Sequence, residues 1–343
     1  MNFLNKTFKI SALTLVTLIS LVGESFAQDK VASTAAQFLG ISSGARGSAM
    51  GSAYVALSDD ASGMYWNPAG IARTQNSLVS FSNMNWFVDT QIQDAAVIIN
   101  GDEKGKFALS VRGINYGEID VTTIERPEGT GERFTPTDLT LGFSYSRFVT
   151  EKFSLGATAR YVQQKIWNES ALGFGIDLGM IYTTDFRNLK IGMSILNFGT
   201  DMKLSGDDLR RAIDIDESIE GNNERLEAFL GVKSWPMPLI FRVGIAIDAV
   251  DIENHKVVFA LDAKHPNDNS ESLDVGIEYG FNNLIFLRGG YRSLFSSEIE
   301  DQSFTAGFGL EYVFSGVKAN LGAAYMTHEY LDNPLMWTIE IEF

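Results

Sequence analysis

The chain of 343 residues contains no cysteine. A disulfide framework is therefore excluded, and so is a cysteine-linked lipid anchor. Histidine is scarce, at three residues, and His255, His265 and His328 are scattered, so no His/Cys cluster offers transition-metal ligands. Basic residues are outnumbered, with 27 Lys and Arg against 43 Asp and Glu, for a net charge of −16. That balance excludes nucleic acid as a partner, because phosphate recognition needs a basic face. The apolar run from Ile10 to Val22 is too short to cross a bilayer as a helix.

That run nevertheless has a reading. Lys6 and Lys9 precede it, and Ser25-Phe26-Ala27 follows with small residues at −3 and −1. This is the layout of an export signal cleaved after Ala27. Residues 1–27 are thus expected to be a signal peptide, leaving a net charge of −17 on a protein that departs the cytoplasm.

From Ser77 onward the apolar residues recur with a period of two. Phe153, Leu155, Ala157, Ala159 and Tyr161 alternate with Ser154, Gly156, Thr158 and Arg160. Leu239, Phe241, Val243, Ile245 and Ile247 alternate with Arg242, Gly244 and Asp248. Such runs are strands with one apolar face. Each lasts about ten residues, the length of a tilted membrane-crossing strand, where ordinary strands have about five or six. About fourteen fit between 77 and 343, an even number as single-chain outer-membrane barrels require. Connections near Asp102, Thr150, Asp185, Asp251, Asn282 and Ser315 are short. Those at 118–136, 166–170, 199–237, 265–270, 294–301 and 328–334 are mostly longer, and only the first hairpin, near Asp89, breaks the alternation. Tight periplasmic turns and longer external loops produce that parity.

Alternation by itself leaves the inward face undecided, since a soluble barrel packs its apolar face inside. Strand length, the export signal, and a Gly-rich polar face carrying Arg112, Arg160, Asp177, Arg242, Asp262 and Glu311 favour an apolar face turned to lipid. Aromatics such as Tyr145, Tyr161, Tyr182, Tyr279, Tyr291 and Tyr312 end the apolar runs as interfacial girdles do. The predicted fold is an all-β transmembrane antiparallel β-barrel of about fourteen strands spanning 77–343. Its last strand places Trp337, Ile339, Ile341 and Phe343 on one face and Thr338, Glu340 and Glu342 on the other. An amphipathic terminal strand ending on an aromatic resembles the signal read by the barrel-assembly machinery. The acidic stretch 199–237 reads as the largest external loop, with a short helix expected over Asp207 to Ile219. A strand over Leu226 to Trp235 would break the even count.

Residues 28–76 differ from all that follows. After a polar lead, Gly40, Gly44, Gly47, Gly51, Gly63 and Gly70 lie among Ala and Ser, and Asn67-Pro68-Ala69-Gly70 ends the stretch as a turn. Ala45, Ala49, Met50 and Ala53 have helical spacing, and Ser58-Asp59-Asp60 suits a turn or helix start. Small residues let backbone pack closely against a wall. The stretch is therefore expected to be a plug in the barrel lumen, with Arg46, Asp59 and Asp60 tethering it to wall charges. Large side chains are few before Met64, Tyr65 and Trp66, and these with Phe38 are the candidate lining of any ligand pocket between plug and wall. The Gly40-Ile41-Ser42-Ser43-Gly44 match to a nucleophile elbow lacks the preceding strand and the histidine partner that the chemistry needs, so no catalytic residue is assigned. The acidic loop lacks EF-hand spacing, and no metal or cofactor is expected.

The stretch GARGSAMGSAYVALSDDASGMYWNPAG, Gly44 to Gly70, resembles the N-terminal signature of the PorV/PorQ family of outer-membrane proteins. That family is related in architecture to the long-chain fatty acid transporter barrels, whose small-residue plug also ends in Asn-Pro-Ala, here Asn67-Pro68-Ala69. The resemblance implies a fourteen-stranded barrel with an N-terminal hatch. It also implies a role in type IX secretion, in which PorV-type members receive cargo by its C-terminal signal domain and pass it on to surface attachment. The expected function is therefore a non-enzymatic partner-binding barrel. Its partners would be outer-membrane lipid, the barrel-assembly machinery, type IX components and cargo. The competing readings are an uptake channel for hydrophobic small molecules and a passive structural barrel.

Overall fold

The computed structural model describes residues 33–88, 90–214, 218, 226–296 and 302–343. The signal-peptide expectation for 1–27, the first residues of the lead and the hairpin tip at Asp89 lie outside the described residues.

Fourteen long strands form one antiparallel sheet that closes on itself. They are β1 (Leu78–Asn85), β2 (Gln91–Asn100), β3 (Lys106–Asn115), β4 (Thr137–Thr150), β5 (Phe153–Ile166), β6 (Glu169–Thr183) and β7 (Lys190–Gly199). The second half comprises β8 (Ile240–Ile252), β9 (His255–Pro266), β10 (Ser272–Phe281), β11 (Ile285–Leu294), β12 (Ser303–Phe314), β13 (Val317–Met326) and β14 (Leu335–Glu342). Each strand pairs with its sequence neighbours, and β1 closes on β14 in a register running from Leu78 opposite Glu342 to Asn85 opposite Leu335. Closure gives every wall strand two neighbours, so no open edge is left to be satisfied in a medium without water.

Side-chain alternation settles the facing. Along β3, Lys106, Ala108, Ser110 and Arg112 are buried inside, while Phe107, Leu109 and Val111 point out and are exposed. Arg112 is fully buried, whereas Leu109 is 54% exposed. A soluble barrel would have the opposite sense. Trp337, Ile339, Ile341 and Phe343 all lie on the outward face of β14, and Trp337 packs 5.4 Å from the Phe81 ring of β1.

Three sequence expectations change. The connection at 166–170 is a two-residue turn, Trp167-Asn168, because β5 and β6 run on to Ile166 and from Glu169; Trp167 takes up the left-handed conformation there, at φ 53°. The stretch from Asp207 holds one 3-10 turn, Asp207–Leu209, not a longer helix. Its continuation, Arg210–Ile213, pairs with Leu226–Phe229 in a separate two-stranded ribbon, so the second of these segments adds no strand to the wall and the even count stands.

Residues 33–76 lie inside the wall. They comprise a 3-10 turn at Gln37–Gly40, short helices at Ala45–Ala49 and Gly63–Trp66, and a 3-10 helix at Pro68–Arg73. Hydrogen bonds or ion pairs from this segment reach β2, β3, β4, β5, β6, β7, β8, β9, β10, β12 and β14. Its small residues answer to geometry. Gly51 has φ 64° and its backbone lies against Val275 and Tyr291, while Gly290 of the wall lies against Gly51, so neither position has room for a Cβ.

Candidate functional site

The contact between segment 33–76 and the wall is built from three buried arginines, each on a different part of the barrel. Arg112 of β3 bonds Asp94 of β2 at 2.6 Å, Arg160 of β5 pairs with Asp177 of β6, and Arg242 of β8 faces Asp274 of β10 at 3.7 Å. Alternation puts each pair on the inner face, and partners one or two strands away neutralise charges that would be costly alone. The arginines then meet aromatic rings of the segment. Arg112 and Arg160 stand over Tyr65 at 4.5 and 5.3 Å, and Arg242 over Trp66 at 5.0 Å. Cation–π contact of this kind gains strength when water is excluded. Burial, with Asp94 nearby, pushes the Tyr65 phenol up to about 12, although both arginines pull the other way; Tyr65 therefore stays neutral at working pH.

Asn67, Pro68, Ala69 and Gly70 form a joint. The Asn67 side chain donates to Val55 O at 2.9 Å and to Met180 O of β6 at 3.0 Å, and its Oδ1 accepts from Ala69 N at 3.1 Å. It caps the 3-10 helix, with Pro68 at the first position, where no N–H is required. Gly70 packs against the Ser58 backbone without space for a side chain. Downstream, Arg73 donates to Ser154 and Thr183 and to the carbonyls of Lys152 and Ile181.

Arg46 is bidentate to Glu278 of β10, at 2.8 and 2.9 Å, and donates to Asp59 at 2.5 Å. Asp59 also faces Lys190 of β7 at 3.6 Å. Burial alone would raise the Asp59 carboxyl, but Arg46 and Lys190 hold it at about 2. Asp60 stays within the segment, accepting from Tyr54 Oη at 2.6 Å and from Ser62 N at 2.9 Å.

The four large side chains Phe38, Met64, Tyr65 and Trp66 do not share a pocket. Phe38 packs toward the end of the barrel that carries the long loops, with Met84, Met202, Met237, Met326 and Met336. Met64 and Tyr65 sit with Ile71, Leu78 and Ile98, and Trp66 with Met50, Tyr54 and Ala246. A cavity between segment and wall, about 240 Å³, includes none of the four in its lining, which mixes the charges of Arg46, Asp59, Arg288, Lys318, Glu311 and Glu340 with Leu78, Phe286, Leu310 and Leu321. Reading the sequence missed Glu278, Lys190 and Thr338 as partners of the segment. Only the recurrence of opposite charges on the polar faces of nearby strands signalled that an ion-pair belt was there.

The family model described as "Type IX secretion system protein PorV" matches residues 24–205, just over half of the sequence. The chain belongs to the PorV family. A PorV-family barrel is an outer-membrane protein, consistent with the lipid-type outer face. Among solved structures it is similar to the CymD monoaromatic hydrocarbon channel, with a TM-score of 0.53 and 14% identity over 88% of this chain and 97% of that one. It is similar to the same degree to the Pseudomonas putida toluene transporter TodX, at TM-score 0.53 and 14% identity, covering 87% and 96%. At that identity the likeness is one of fold. No curated protein matches the sequence.

Proposed function

We propose that this PorV-family barrel serves type IX secretion as a non-enzymatic docking protein, receiving cargo at the outer surface and handing it on for attachment. The observation that carries this reading beyond the family match is the filled lumen. Segment 33–76 bonds to strands around the whole wall, and its core side chains from Ala49 to Leu57 are almost fully buried. A barrel stoppered in this way offers cargo its rim, not its bore. The segment acts as the plug, held by Arg46, Asp59 and the Asn67 joint. The hydrocarbon-channel reading calls for Phe38, Met64, Tyr65 and Trp66 to line a shared pocket between plug and wall, and they are packed in separate clusters.

Deleting the gene should trap secreted cargo in the periplasm or release it unattached; normal surface attachment would count against the proposal. The export route belongs to the same reading. Residues 1–27 direct export, so sequencing the mature N-terminus should begin at Gln28. The outward face of β14, with Trp337, Ile339 and Ile341 and the Phe343 that follows, is what the barrel-assembly machinery would read. Removing Phe343 should lower the amount of folded barrel in the outer membrane.

A further inference from the structure

At the end of the barrel that carries the long loops, away from Leu78 and Glu342, a second pocket of about 390 Å³ opens between the ends of β3, β4, β5 and β6 and the loop after β7. Its walls are Tyr116, Ile119, Pro136, Ile166, Ala171 and Leu204, with Asp138, Gln164 and Lys165 beside them. The polar groups at its base are already committed to one another. Tyr116 Oη donates to Asp138 at 2.7 Å, Gln164 Nε2 donates to the same oxygen at 3.1 Å, and Gln164 Oε1 accepts from Ala36 N at 2.9 Å. An occupant therefore gains apolar contact here and little hydrogen bonding. Tyr116, Ile119 and Ile166 are 38%, 42% and 47% exposed at the level of the loops.

Charge around the pocket narrows the occupant. The two connections that flank it are acidic: residues 116–136 carry five carboxylates against two arginines, and residues 200–239 carry nine against five Lys and Arg. Over all seven connections at this end the sequence has 22 carboxylates and seven basic residues, of which 14 and six are among the described residues, so negative charge predominates there. A neutral hydrocarbon gains nothing from such a field, whereas a cationic partner is steered by it.

We propose that this pocket is a socket for one large apolar side chain presented on a basic segment of a partner protein. The proposal rests on the docking function above, and supplies the chemistry of the surface that docks. A short apolar anchor inside a charged rim is the usual anatomy of a protein contact site.

The test uses the full-length mature protein in detergent and two fluorescent peptides, Lys-Lys-Trp-Lys-Lys and its Trp-to-Ala counterpart, followed by anisotropy. The Trp peptide should bind about tenfold tighter than the Ala peptide, the worth of burying one aromatic ring. Ala171→Phe, which fills the socket, should abolish that difference while leaving the weak salt-sensitive binding of both peptides. Ile166→Glu, at an exposed position, gives the same reading should Ala171→Phe fail to assemble. Raising NaCl to about 0.5 M should weaken both peptides. Equal binding of the two peptides, or an unaltered difference in both variants, would overturn the proposal. Those results leave the gene-deletion outcome untouched. Conversely, a functioning socket in a strain whose deletion leaves cargo attachment normal would remove the docking role and keep the site.

Discussion

At the end of the barrel that holds Leu78 and Glu342, six connections of two to six residues join the strands, carrying five carboxylates and three basic residues. At the other end the connections reach 21 residues between β3 and β4 and 40 between β7 and β8. Segment 33–76 is tied to the first end by Arg73, which reaches Lys152 and Thr183, and by Thr74, which meets Lys106, and to the second by Thr34 with Asp268 and Ala36 with Gln164. The second carries projecting ribbons, at Ile119–Asp120 with Arg133–Phe134 and at Arg210–Ile213 with Leu226–Phe229, whose ion pairs are solvent-exposed. Buried pairs fix a structure because removing one partner strands a charge, whereas exposed pairs add little. The bore therefore serves stability, and the projecting ribbons of the second end are free to vary for recognition.

This division can be broken in order of expected effect. Asp177→Ala should cost most, about 3–5 kcal/mol, because Arg160 would remain buried without its carboxylate. The measurement is the temperature at which the folded band is lost on unheated gel electrophoresis. Arg46→Ala should cost less, about 2 kcal/mol, since Glu278 keeps Arg288 at 2.6 Å. Here the effect should fall on the plug, seen as protease cleavage near residue 60 while the wall stays intact.

Acid gives a milder version of the same loss. The folded Asp59 carboxyl sits at about 2, below its ordinary value of 3.8, so its contribution is complete above the ordinary value and disappears as pH falls through the folded one. Plug anchoring should hold at pH 5 and weaken between about pH 4 and pH 2, and Asp59→Asn should remove that dependence. Smallest of all, Arg133→Ala breaks pairs with Glu118 and Asp120 that are more than half exposed, and should change barrel stability by under about 1 kcal/mol.

The wall was legible in the sequence because a period of two with ten-residue runs has few other solutions. Strand ends were harder. Trp167-Asn168 looked like part of a longer loop because nothing in Ile166 or Glu169 marks them as paired, yet they face each other in the ladder. The acidic stretch from Asp207 has helix-compatible composition, and cross-strand pairing of Arg210–Ile213 overrode it. In segment 33–76, Gly and Ala spacing announced close packing, and the sequence shows the charges of Arg46 and Asp59 but not what they meet. Their partners Glu278 and Lys190, some 230 and 130 residues away in sequence, depend on how the barrel rolls up and have no local signature. The socket at Tyr116, Ile166 and Leu204 escaped notice for the same reason.

The absence of cysteine makes a direct test of the two ends available, since any introduced thiol is unique. Thr130→Cys lies in the long loop before β4 and Ser315→Cys in the two-residue turn after β12. Each variant would be exposed to a membrane-impermeant maleimide, first on intact cells and then after permeabilisation. The account predicts labelling at 130 in intact cells and at 315 only after the outer membrane is opened. Labelling at 315 in intact cells, with 130 protected, would contradict it.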